Sequence, residues 1–177
     1  MKQLMGPLVG HTGWVFDAVF TPDAMRIISG SRDMTVRVWN AETGAVVSTI
    51  TGHTQMVLSV AVSPEGHIVS GSHNNTLRVW NAEGGQILGP IEGHQGWVLS
   101  VVVSPDGKRI ISGSHDNTVR VWDALSGEEL ESLAGHTDAI WSVASSPDGK
   151  RIVSGSKDRT VRVWDLEDKG SSGSFFT

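Results

Sequence analysis

With 38% hydrophobic residues and 21 glycines among 177 positions, the chain has enough apolar material for a folded domain rich in strands and turns. Its formal charge of −5, from 14 basic and 19 acidic residues, gives no electrostatic footprint for nucleic acid or an anionic membrane, so direct binding to either is not expected. The absence of cysteine removes disulfides and thiolate-ligated metals. The opening MKQLMGPLVG lacks the apolar run of a signal peptide and no later stretch reaches membrane-spanning length, so an intracellular location, cytoplasmic or nuclear, is expected.

Residues 3–9 precede the first Gly-His pair as residues 86–92 and 128–134 precede later ones, and they read as a lone strand. A repeated unit then begins at Gly10. Gly-His pairs fall at His11, His53, His94 and His136, in steps of 42, 41 and 42 residues, and tryptophans close the units at Trp39, Trp80, Trp122 and Trp164. A period near 40 with Gly-His at one end and Trp-Asp or Trp-Asn at the other marks a propeller blade. Each histidine lies 28 residues before its own tryptophan except in the second unit, where the spacing is 27 and a shorter turn before His67 absorbs the difference.

Within a unit the order is constant. An apolar, β-branched run follows Gly-His, at 15–20, 57–62, 98–103 and 140–144. Next comes a Ser-Pro-Asp/Glu-Gly turn, where proline presets the first central φ and glycine frees the exit; in the first unit Ala24 takes the glycine's place and more strain is expected. A strand ending in Ser-Gly-Ser leads through a tight turn (32–34, 73–75, 115–117, 157–159) into Thr-Val/Leu-Arg-Val-Trp. A fourth strand, clear at 46–50, follows a polar loop, but the last unit lacks one, and residues 166–177 read as a flexible Gly/Ser-rich tail. Short, evenly spaced strands with turns between them give an all-β fold.

Polar residues recur in register. His11, Ser29, Asp33 and Trp39 are matched by His94, Ser112, Asp116 and Trp122, and by His136, Ser154, Asp158 and Trp164; the second unit has His53, Ser70 and Trp80 but Asn74 in place of aspartate. Each set holds the ingredients of a nucleophilic triad. A structural brace explains four equally spaced copies better than catalysis does: carboxylate orients imidazole, imidazole bonds hydroxyl, and hydroxyl accepts from the indole N–H.

Gly-His, Ser-Pro-Asp-Gly, Ser-Gly-Ser, the turn aspartate and Trp-Asp, in that order, make the sequence resemble the WD-repeat (WD40) β-propeller family over roughly residues 3–165. The resemblance implies blades of four antiparallel strands around a central channel, with repeats at 10–51, 52–92, 93–134 and 135–165. It also implies that the last blade's outer strand is supplied by residues 3–9. Family propellers usually have seven or eight blades, so the count of four departs from the pattern and leaves three readings: a piece of a larger array, a homodimer of half-propellers completing an eight-bladed ring, or a closed four-bladed monomer.

The residues that vary between units suggest where a partner binds. Trp14 and Trp97, with Met56, stand three positions after their histidines; Phe16 and Trp141 come two further on; the turns add Arg32, Met34, His73, His115, Lys157 and Arg159. Aromatic, methionine and arginine side chains are favoured at interface centres, so this rim is the expected contact surface for a protein or peptide partner. No metal site or cofactor is expected, because His73 and His115 lie in separate turns without carboxylates at ligand spacing. The leading functional expectation is a non-catalytic interaction scaffold. The alternative is a sensor module of a larger NTPase-containing (NACHT-type) protein, whose near-consensus repeat arrays these units resemble.

Overall fold

The computed structural model describes residues 5–166. Fifteen strands form four antiparallel sheets, each laid down in sequence order: β1 (Val15–Phe20) to β4 (Val46–Ile50), β5 (Val57–Val62) to β8 (Gln86–Ile91), β9 (Val98–Val103) to β12 (Glu129–Ala134), and β13 (Ile140–Ser145) to β15 (Val161–Asp165). The first three sheets have four strands and the last has three. Adjacent sheets touch along their first strands, β1 to β5 to β9 to β13, so these line the axis of an arc of blades.

The core lies between blades and is built from period-2 alternation. Ile28, Val36, Val38, Val57, Val60, Ile68 and Trp80 close the gap between the first and second sheets. The second and third are joined by Val69, Leu77, Val79, Val98, Val101, Ile110 and Trp122. The third and fourth use Ile111, Val119, Val121, Ile140, Val143 and Ile152. Blades approach so closely that a side chain would not fit at the glycine of Ser-Gly-Ser: a Cβ on Gly30, Gly71 or Gly113 would stand 2.7–2.8 Å from Val57, Val98 or Ile140 of the next blade. Hydrogen bonds also cross each gap. The Val60 amide donates to Asp17 Oδ2 (2.9 Å), the Val101 amide to Ser59 Oγ (3.2 Å), and the Val143 amide to Ser100 Oγ (3.2 Å).

Two expectations for the chain ends need correction. Residues 5–9 form no strand and do not reach β15; Met5 and Leu8 instead line a hollow with Phe20, Met25, Ile27 and Ala41 at the outer end of blade 1. An open arc puts its first and last blades at opposite ends, out of reach for so short a segment. Gln3 and Leu4 lie outside the described residues. Leu166, placed in the tail by composition, is buried in the core and its amide donates to the Lys150 carbonyl (2.8 Å); the remainder of that tail, 167–177, also lies outside the described residues.

The turns follow local chemistry. Ala24 has φ of +57°, where Gly66, Gly107 and Gly149 have +89°, +73° and +71°, so alanine does occupy the left-handed position that glycine fills elsewhere. The short turn of the second unit closes with the Ser63 amide on the His67 carbonyl (2.8 Å), where the third spans Ser104 to Arg109 (2.9 Å).

Candidate functional site

Beneath the rim the polar sets form the same bonded chain in three blades. His94 Nδ1 lies 2.8 Å from Asp116 Oδ2, its Nε2 2.7 Å from Ser112 Oγ, and Trp122 Nε1 donates to that oxygen at 2.8 Å. His11, Asp33, Ser29 and Trp39 repeat this at 2.8 Å throughout, and His136, Asp158, Ser154 and Trp164 at 2.7–2.8 Å. Burial disfavours the charged carboxyl of Asp116, but hydrogen bonds from His94, Thr118 and the Gln95 amide outweigh it and hold it well below the usual carboxylate range; Asp33 and Asp158 are held low in the same way. The four serines are buried beneath the indoles and already accept a donor. Each hydroxyl thereby ties the histidine of its blade to the tryptophan that closes it.

Blade 2 breaks the pattern. His53 Nε2 bonds Ser70 Oγ (2.7 Å) and Trp80 Nε1 donates to it (2.9 Å), but Asn74 turns its amide nitrogen to Thr54 Oγ1 (3.2 Å) and its oxygen to Thr76 Oγ1 (2.8 Å). His53 Nδ1 is buried and, among the described residues, without a hydrogen bond. The Asn74 oxygen, which stands where the other blades have a carboxylate, accepts from the Thr76 hydroxyl. Burial, with the nearby Arg78 charge, pushes the His53 pKa down to about 4, so the ring is neutral near pH 7.

The rim itself is set by the first strand of each blade. Phe16, Leu58, Leu99 and Trp141 are skipped in the pairing between first and second strands, so each is the extra residue of a β-bulge. Bulges re-aim side chains away from the sheet. Phe16 and Trp141 are accordingly exposed, and Phe16 meets Trp14 edge-on with centroids 6.5 Å apart. The turn residue and the residue three after histidine are tied by backbone bonds, from Arg32 to Trp14, His73 to Met56, His115 to Trp97 and Lys157 to Ala139 (2.8–3.0 Å), which brings both loops to one rim. The same turns put Met34, Asn75, Asn117 and Arg159 at φ of +68° to +71°; asparagine tolerates this region better than methionine or arginine.

Two aromatic clusters result. Arg32 sits over the Trp14 ring at 5.0 Å. Trp97 is held between two histidines of adjacent blades, stacked on His73 at 4.0 Å and tilted against His115 at 4.9 Å. This sandwich joins blades and could not be seen from spacing within one unit. Trp14, Trp97, Trp141 and Met34 are exposed, as are Arg32, His115, Lys157 and Arg159, while Met56 and His73 are half-buried. The recurrent strand arginines lie below: Arg37, Arg78 and Arg162 stack over their own tryptophans at 5.7–6.0 Å, and Arg120 pairs with Glu129. No group of three potential metal ligands occurs among the described residues.

Comparison with known proteins gives four matches to the WD domain, G-beta repeat family, at residues 2–40, 44–81, 85–123 and 127–165. The last three matches each start one strand before a structural blade, so repeat and blade are offset. The small ribosomal subunit protein RACK1y of Oryza sativa subsp. japonica is 44% identical over 61 residues, covering 33% of this chain and 18% of that protein. Guanine nucleotide-binding protein subunit beta-1 of Caenorhabditis briggsae is 41% identical over 58 residues, covering 33% and 17%. A solved structure of U3-55K superposes with a TM-score of 0.83 at 29% identity, and one of the RRP9 WD40 repeats with 0.82 at 29%. Each match covers about nine-tenths of this chain but only 51% and 49% of the solved chains, so the arc spans about half of their length. The repeats, the braces beneath them and these matches show that the chain belongs to the WD40-repeat family.

Proposed function

We propose that the chain is a protein-interaction scaffold that holds a peptide segment against the rim of Trp14, Trp97 and Trp141. The observation that carries this reading is the exposure of these indoles on one rim, Trp14 being 69% exposed, while the tryptophans that close the blades are buried or half-buried. Large exposed aromatics without a structural role mark contact surfaces. Around them stand the cations Arg32, Lys157 and Arg159 and one carboxylate, Asp138, which is paired with Lys157 at 3.4 Å. The fitting ligand carries apolar and acidic side chains. The alternative of a sensor module in an NTPase-containing protein uses the same rim, and an NTPase domain encoded in the same gene would favour it.

The test is selection from a displayed random-peptide library with this chain as bait, followed by binding of the selected peptides to a Trp14→Ala/Trp97→Ala double variant. Selected peptides enriched in acidic residues, lost by a variant that keeps its melting temperature, support the reading. Equal binding by the double variant overturns it.

A further inference from the structure

At the end of the stack opposite the rim, the gap between blades 2 and 3 opens into a hollow, and we propose that it takes an apolar side chain flanked by arginine or lysine from a partner protein. The hollow has a volume of about 540 Å³, within the roughly 300–1,000 Å³ of ordinary ligand sites. The buried Val69, Val79 and Ile110 form its floor, and Ile87 and Leu125 stand at its mouth, 43% and 88% exposed. Blades 2 and 3 each have a neighbour on both sides, so the hollow is not an open face of the stack.

The same gap between blades 1 and 2 is bridged. There the Glu83 carboxylate stands 3.8 Å from Arg26 Nη1, and the Glu83 carbonyl accepts from Ser48 Oγ at 3.3 Å. All three bridging positions differ between blades 2 and 3. Leu125 follows Trp122 by three residues, as Glu83 follows Trp80, and Gly89 follows Trp80 by nine, as Ser48 follows Trp39. His67 precedes the strand partner of Trp80 as Arg26 precedes that of Trp39. Neither bridge can form with these residues. The loop itself is unchanged: Asp123 Oδ1 accepts from the Leu125 amide (2.9 Å) as Asn81 Oδ1 accepts from that of Glu83 (3.1 Å). Leu125 is thus held at the mouth of an apolar hollow, at the position where blades 1 and 2 carry Glu42 and Glu83. Exposed apolar side chains grouped around a cavity mark a contact site.

Charge selects the occupant. The carboxylates of Glu65, Asp106 and Asp123 surround the hollow, against Lys108 and His67. Glu65 reaches across to blade 3, where a Cβ on Gly107 would stand 2.6 Å from its Oε1, and it has no hydrogen bond or ion pair among the described residues. A basic residue beside the inserted side chain supplies its counter-charge. The rim at the other end has the opposite sign, with Arg32, Lys157 and Arg159, so the two ends of the stack select different partners.

The experiment titrates the chain into labelled synthetic peptides with a central leucine or phenylalanine flanked by arginines, by serines or by glutamates, read by fluorescence anisotropy. The arginine set should bind most tightly and the glutamate set least. Leu125→Ser should weaken binding by about tenfold or more through lost apolar contact. Leu125→Glu/His67→Arg restores the residues of the bridged gap and should abolish it. Glu65→Gln should weaken the arginine set and leave the serine set unchanged. These positions are exposed, so each variant should keep the wild-type melting temperature. Trp14→Ala/Trp97→Ala should bind the arginine set as the wild type does, because the rim is not involved. Failure of the arginine set to bind, equal binding by Leu125→Glu/His67→Arg, or loss of binding in the tryptophan variant overturns the proposal. Tighter binding of the glutamate set overturns the choice of a basic partner. An uncharged apolar dye that binds where no peptide does would assign the hollow to a small molecule, and self-association lost with Leu125→Ser would assign it to a second copy; either result overturns the proposal.

Discussion

Blades 3 and 4 have nearly the same residues in their second and third strands, RIISGS and TVRVWD against RIVSGS and TVRVWD, yet they live in different surroundings. Val119, Val121 and Ile111 are shielded by blade 4, while Val161, Val163 and Val153 face solvent. The internal brace is the same in both, with histidine, serine and tryptophan bonded at 2.7–2.8 Å. The repeat therefore encodes a blade and its polar brace, while burial of its two faces depends on what stands beside it. A unit's sequence is a local instruction, and stability is a property of the stack.

Tryptophan truncation should break this comparison most visibly. Trp122→Ala should cost about 3–5 kcal/mol, because the ring is fully buried between blades 2 and 3. The half-buried Trp164, replaced in the same way, should cost clearly less; equal losses in urea denaturation would mean that neighbour packing adds little to a blade.

Blade 2 offers a sharper contrast through pH. His53 has a folded pKa near 4 against an ordinary value of 6.5, so between these values the unfolded chain binds more protons than the folded one. Stability from this group is complete above pH 6.5 and declines as pH falls to about 4, by up to about 3 kcal/mol. Asn74→Asp should flatten that slope and raise stability near neutrality by about 1 kcal/mol, since a carboxylate can accept from Nδ1 as in the other blades. Unchanged melting curves for this variant at pH 7 and pH 5 would show that the orphaned ring nitrogen is not a weak point. The smallest effect should come from the turn in blade 1. Ala24→Gly relieves a left-handed alanine but loosens the unfolded chain, leaving a gain of less than about 1 kcal/mol by calorimetry.

Much of this was legible in the residues. Spacing between Gly-His and Trp located all four blades, and the one-residue deletion before His67 fell in the turn where surface loops absorb such changes. The strain at Ala24 followed from a single substitution in a repeated turn. What was not legible depended on neighbours. Period-2 alternation cannot say whether a strand such as β15 has a blade beyond it, because Val161 and Val119 look identical in sequence. The bulges at Phe16 and Trp141 leave no mark in an apolar run, and the Trp97 sandwich draws its two histidines from different units. Residues 3–9 were matched to an outer strand by analogy with 86–92, but the described part of that stretch, residues 5–9, pairs with no strand.

Strand order within the sheets has a bearing on how the chain acquires its structure. Among the described residues each strand pairs with its immediate predecessor or successor, and no sheet borrows a distant segment. Contacts of low sequence separation close cheaply and early, so a blade can assemble as soon as its roughly 40 residues have left the ribosome, using the preceding blade as a template. A propeller sealed by its own N-terminal strand must instead hold that segment unpaired until synthesis ends. Here Met5 and Leu8 lie against blade 1, which is formed by the residues that follow them directly, so their contacts are local as well.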